Sequence, residues 1–304
     1  MSNKTLKVGM IGLDTSHCEA FTKLLNDENN EHHVPGAKVV KAFPGGSELF
    51  SNSYNRVEQI TTTMKELGIE IVDSLEAAAE DVDAIMLESV DGRQHLEQFR
   101  VLVKFGKPIF IDKPFTCSYP EAKAIADLAA EHNVPVMTAS AIRYASGLSE
   151  INSDGNKIHT CDTFGPMTIL ADYPGYFWYG IHTVEMLYSF MGAGCVELKV
   201  KTSENLDITI AKWHDGRVAT LRGARFDGGG YKFGCTISTD QGVEFSLAES
   251  IPPYYACLLK KIVPFFQTGK SPIAIEESLE TIAFIDAMNE SYNNNGKTVK
   301  IKNN

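Results

Sequence analysis

Lys113 is the residue most suggestive of chemistry. It follows the short apolar run Pro108–Ile111 in the stretch GKPIFIDKPF, with Asp112 before it and Pro114 after it. In an α/β protein a run this short and apolar reads as a buried parallel strand, and ligands gather beyond the carboxyl ends of such strands. Proline has no N–H for the ladder, so Pro114 marks where the strand stops and leaves Lys113 at the mouth of a cleft. A solvated lysine at a strand end is the competing reading of the same residues.

Three further clusters carry polar chemistry. The first is Gly12-Leu13-Asp14-Thr15-Ser16-His17, between an apolar strand and a helical pattern, where a dinucleotide-binding loop would read G-x-G-x-x-G. Only the first glycine is present; Asp14 replaces the second and His17 the third. Ser16 and Glu19 have capping-box spacing, and Asp14 and Glu19 would repel a pyrophosphate unless a metal, a water or the side-chain direction intervenes. A capped turn with no ligand is the alternative. The second cluster, Ser89, Arg93 and His95, lies in a loop after a central strand, and His95 could equally be an ordinary residue at a helix start. The third is His182, with Glu185 three residues on and the aromatic stretch Tyr176-Phe177-Trp178-Tyr179 just before it. Such a stretch suits either a core or a sugar site, where rings meet C–H faces. Glu185 could orient the imidazole. His182, Glu185 and Asp172 make only a weak ligand set, and no metal is expected.

The elements that would hold these residues alternate. Strands are expected at Leu6–Leu13, Lys38–Phe43, Ile69–Val72, Asp83–Leu87, Pro108–Ile111 and Val134–Thr138, with helices between them, including one over Tyr54–Leu67. This order gives a doubly wound parallel sheet. The second strand ends at Pro44-Gly45-Gly46-Ser47 without the acid that holds ribose hydroxyls in NAD-specific domains, although Ser47 could serve a ribose or a 2′-phosphate. Beyond Tyr144 the pattern changes to a strand at Met167–Ala171, a helix at Ile181–Met191 and strand-like segments from Val196 to Cys235. Gly228–Gly230 reads as a turn. Two amphipathic helices follow, Leu258–Gln267 and Glu276–Tyr292, with charged faces expected to be solvated.

Composition limits the function classes. The chain has 304 residues, 43% hydrophobic and 22% charged, enough for two domains. A net charge of -11 argues against nucleic acid and anionic membrane as partners. No apolar run nears the roughly 18 residues of a membrane span, and no secretory signal pattern opens the sequence, so a cytoplasmic location is expected. The six cysteines are scattered singly and read as reduced.

The chain resembles the glucose-fructose oxidoreductase, inositol dehydrogenase and rhizopine catabolism (Gfo/Idh/MocA) family. GKPIFIDKPF is similar to its G-K-x-V-x-x-E-K-P, with Asp112 for Glu; the Ser89–His95 loop and Ala141–Tyr144 (AIRY) are similar to its later loops. The resemblance implies a Rossmann domain over 1–143 and, over 144–304, an α/β domain on an open, largely antiparallel sheet, assembled as a homodimer or homotetramer. It also implies NAD or NADP as cofactor and a sugar, inositol or related polyol as substrate. Lys113 would contact the nicotinamide side and a substrate hydroxyl, and His182 would transfer the proton, although Trp178 stands where the family has an Asp partner. Gly12, Leu13, Asp14, Ser16, His17, Ser47, Ser89, His95 and Asp112 would line the cofactor; Arg143, Tyr144, Tyr176, Trp178, Tyr179 and Glu185 would line the substrate. A non-redox carbohydrate-binding or regulatory protein on the same fold, or a cofactor-free enzyme, is the alternative.

Overall fold

The computed structural model describes residues 4–151, 154–225 and 230–302. In chain order the first elements are β1 (Leu6–Ile11), α1 (Ser16–Asn26), β2 (Ala37–Phe43), α2 (Ser51–Tyr54), α3 (Val57–Glu66), β3 (Glu70–Ile71), α4 (Leu75–Ala79), β4 (Ala84–Leu87), α5 (His95–Leu102), β5 (Ile109–Ile111), α6 (Tyr119–His132) and β6 (Val136–Thr138). Then come β7 (Ile158–Pro166), α7 (Gly180–Met191), β8 (Cys195–Thr202), β9 (Leu206–Trp213), β10 (Val218–Ala224), β11 (Gly234–Thr239), β12 (Gly242–Leu247), α8 (Tyr254–Thr268), α9 (Ile275–Asn293) and β13 (Val299–Lys300).

Two compact units result. The first comprises Met1–Ala139 together with Tyr255–Ile275, and the second Ser140–Tyr254 together with Glu276–Asn304. In the first, six parallel strands run in the order β3-β2-β1-β4-β5-β6. Every residue of β4 and β5 is buried, as expected of strands covered on both faces. The chain reverses direction across the sheet between β1 and β4, which opens a crevice at their carboxyl ends. Thr15 caps α1 by accepting from the His17 N–H at 3.4 Å, so the capping pair expected of Ser16 and Glu19 does not form; Glu19 binds Lys23 instead. The helix expected over Tyr54–Leu67 is α3, which starts three residues later, at Val57, while Tyr54 closes the separate short α2. Within this unit α8 lies beside α1: the Tyr255 ring is 4.7 Å from His17 and 5.4 Å from Phe21.

In the second unit seven strands form a sheet in the order β12-β11-β7-β10-β9-β8-β13, antiparallel except for the β7–β10 pair. Alternate residues of β9, β10 and β11 are buried, the pattern of a sheet covered on one face. The apolar helix α7 lies against β7 and β10. The strand expected at Met167–Ala171 lies just upstream, as β7. The glycine turn expected near Gly228 falls largely outside the described residues. Nor are the charges of α9 merely solvated. Glu280 is buried and accepts from the Tyr188 hydroxyl and from the Gly194 and Cys195 amides at 2.7–2.9 Å, which ties α9 to the start of β8.

Candidate functional site

Each central strand of the first unit ends in a polar residue. Asp14 follows β1, Glu88 follows β4 directly, and Asp112 and Lys113 follow β5 directly; all four are buried. Lys113 is 6% exposed, so the solvated strand-end lysine is overturned. Burial pulls its ammonium below the ordinary lysine value, against the raising effect of Asp112 and Glu88. Glu88 is pushed well above the usual carboxylate range by burial and by Asp112. Burial also pushes Asp112 up, but its contact with His17 and the charge of Lys113 hold it below its ordinary value.

The turn after β1 differs from its sequence reading. Asp14 does not face outward: its carboxylate accepts from the Val90 N–H at 3.0 Å and from the Ser53 hydroxyl at 2.6 Å. Burial raises its pKa against those hydrogen bonds. The expected repulsion of a phosphate by Asp14 and Glu19 is therefore removed by side-chain direction. Gly12 has φ +89°, and a Cβ there would stand 2.4 Å from the Ser89 amide nitrogen, so this glycine is required. The Leu13 amide donates to the Pro44 carbonyl at 2.6 Å, and Leu13 itself is core. Ser16 is exposed at the start of α1. His17 does not leave the helix–strand contact to a glycine; its ring lies between Phe21, Tyr255 and Asp112, with Nδ1 2.8 Å from Asp112 Oδ2.

Several residues expected to meet a ligand serve the fold. The Ser47 hydroxyl donates to Asp91 at 2.6 Å, and Asp91 also pairs with Arg93 at 2.7 Å, which keeps its carboxyl below the ordinary range despite burial. His95 is buried with its ring nitrogens 3.0 and 2.7 Å from the Phe115 and Ser89 carbonyls, so it braces two loops. The buried Ser89 hydroxyl has no hydrogen-bond partner among the described residues. The sequence reading did not place Glu88 beside Asp112 and Lys113, nor Ser53 and Asp91 as partners of Asp14 and Ser47. A signal existed for Glu88: it follows a fully apolar strand just as Asp112 does.

The second unit holds its own polar cluster. His182 Nδ1 lies 2.7 Å from the Ser140 hydroxyl, and the ring meets Tyr179 and Phe233 at 5.5 and 5.4 Å. The Ser140 hydroxyl orients the imidazole. Glu185 is buried and turns to Arg143, which also binds Glu277. Burial pushes the Glu185 carboxyl up to about 7 against the pull of Arg143. Tyr144 is next to this cluster, and burial raises its hydroxyl to about 12. Trp178 stacks edge-on with Tyr173 at 5.6 Å. Tyr176 belongs to the core rather than to a substrate surface: it is fully buried, and its hydroxyl donates to Asp207 at 2.9 Å.

Comparison with known proteins accounts for this architecture. Residues 6–140 match the GFO_IDH_MocA profile, an oxidoreductase family with an NAD-binding Rossmann fold. No curated protein matches the sequence. Among solved structures, myo-inositol dehydrogenase from Lactobacillus casei, in complex with NAD(H) and myo-inositol, superimposes with a TM-score of 0.80 at 13% identity, covering 98% of this chain and 97% of that one. Myo-inositol 2-dehydrogenase from Lactobacillus plantarum gives 0.76 at 20% identity, over 98% and 100% of the two chains. A putative myo-inositol dehydrogenase from Sinorhizobium meliloti gives 0.76 at 15%, again over 98% and 100%. At such identities the likeness speaks for the fold alone; what the sequence itself shares with the Gfo/Idh/MocA oxidoreductase family is residues 6–140, which match its model of an NAD-binding Rossmann fold.

Proposed function

We propose that this protein is an NAD(P)-dependent oxidoreductase acting on a sugar, inositol or related polyol. The observation that carries the reading is the buried Lys113 at the carboxyl end of β5, flanked by Asp112, within a family Rossmann domain. The turn fits a dinucleotide on its backbone side. Gly12 keeps the tight approach to Ser89, and Asp14 directs its charge inward to Val90 and Ser53. The Gly12–Ser16 turn, the first turn of α1, Ser89 and Lys113 would hold the group. When bound, it supplies the hydride acceptor or donor.

The remaining work falls to side chains. Lys113 stabilises negative charge developing on the substrate oxygen, as a preorganised cation in a dry site does. His182, held through Nδ1 by Ser140, exchanges the hydroxyl proton. Residues near it, Tyr179 and Trp178, offer aromatic faces of the kind that meet a polyol's C–H groups.

A second reading has its own support. The Ser47–Asp91 and Asp14–Ser53 bonds occupy hydroxyls and carboxylates at the ends of β2 and β1 that a ribose would use, which favours a carbohydrate-binding or regulatory protein without redox chemistry. Titration with NADH and NADPH, followed by nicotinamide fluorescence, separates the two. Micromolar binding of one nucleotide is expected; no binding of either at millimolar concentration would sink the oxidoreductase reading. In the bound enzyme Lys113→Ala and His182→Ala should each slow turnover about 10²–10⁴-fold. Near-normal turnover in either refutes that residue's role.

A further inference from the structure

Glu88 has no part in the hydride reading, yet its carboxyl group lies unpartnered in the core of the first unit. It is fully buried, and neither of its carboxylate oxygens has a hydrogen-bond partner among the described residues. A carboxyl group in that state either keeps its proton or gives it up to a cation that takes up its oxygens. His17 and Asp112 complete a convergent set: one donor atom from each of the three residues lies within 4.8 Å of the others. His17 Nδ1 is 2.8 Å from Asp112 Oδ2 and 4.0 Å from Glu88 Oε2. Neither His17 Nδ1 nor either Asp112 oxygen makes a hydrogen bond of ordinary geometry among the described residues.

The two His17 distances fall within the range that one ion can span, the longer one only for donors on opposite sides of it. Two donors bonded to one ion at about 2.0–2.2 Å stand about 2.8–3.6 Å apart at tetrahedral or octahedral angles, and up to about 4.4 Å apart across the ion. Lys113 and, more weakly, Arg56 are set against three carboxyl groups, Glu88, Asp112 and the nearby Asp14, so a dication would improve the balance.

We propose that His17, Glu88 and Asp112 form a divalent-cation site in the crevice at the carboxyl ends of β1, β4 and β5. One imidazole and two carboxylates suit Zn²⁺ or Mn²⁺ better than Mg²⁺ or Ca²⁺, which prefer all-oxygen shells. Sequence reading missed the set because its members come from three separate strand–helix junctions.

The test uses the full chain, stripped with a chelator and free of nucleotide. ZnCl₂ and MnCl₂ are titrated by calorimetry, and Mn²⁺ binding is also followed through loss of the free-ion EPR signal. One equivalent per chain is expected, with affinity lowered at least tenfold in both Glu88→Gln and His17→Ala and unchanged in Ser140→Ala. The Glu88→Gln side chain is isosteric, and circular dichroism checks its fold, so the test survives if His17→Ala fails to fold. The absence of a binding heat and of an EPR change at millimolar metal would overturn the site. So would binding that persists undiminished in Glu88→Gln, because the ion would then lie elsewhere. Neither result bears on nucleotide binding, which the fluorescence titration reads separately.

Discussion

Glu185 shows how one buried residue can control behaviour across a pH range. Its carboxyl is raised by burial from 4.5 to about 7, although Arg143 lies within 3.3 Å. Between those values the folded chain holds a proton that the unfolded chain has released, so stability falls as pH rises through that window. Each tenfold change in proton affinity is worth about 1.4 kcal/mol, so the loss reaches roughly 3 kcal/mol at most. Glu185→Gln cannot titrate, so denaturant midpoints measured from pH 4.5 to 8 should fall less steeply in this variant than in the parent. Parallel profiles would mean that Arg143 keeps Glu185 ionised throughout.

At the scale of the element, the turn between β1 and α1 links sequence to site most tightly. Gly12→Ala would force a left-handed residue against the Ser89 backbone, and a loss of about 2–4 kcal/mol is expected in chemical denaturation. A change below about 0.5 kcal/mol would mean that the turn relaxes freely. The parallel strands were legible because burial on both faces writes each as a short apolar run, as in Ala84–Leu87 and Ile109–Ile111. β7 was harder to find: it opens with the exposed His159 and Thr160 and carries the half-buried Asp162, and the more apolar Met167–Ala171 drew the reading downstream. Lys113 was legible from the proline that ends its strand. The direction of Asp14 was not, because its partners Ser53 and Val90 are distant in sequence and meet it only in the folded sheet. The same holds for Ser140 and His182, which only the packing of the second unit unites.

On the scale of the whole molecule, the first unit is discontinuous in sequence. Residues 255–275 return to it, and Tyr255 meets His17 and Phe21 there. Val263 and Gln267 of the same helix approach Gly36 so closely that a Cβ there would stand 3.0 Å from each. A fragment of residues 1–143 should therefore bind ANS strongly and melt without a cooperative transition, whereas the same fragment joined by a flexible linker to residues 254–275 should melt cooperatively. Cooperative melting of the shorter fragment would show that α8 is dispensable. The interrupted chain also has a consequence for synthesis. The ribosome makes every strand of the parallel sheet early, but the helix that covers α1 is translated only after most of the second unit. At about 5–20 residues per second the interval between residues 139 and 275 is roughly 7–27 s. Throughout that time the nascent first unit exposes apolar surface that only the end of the chain can cover, so chaperone dependence during translation should exceed anything seen when the finished protein refolds.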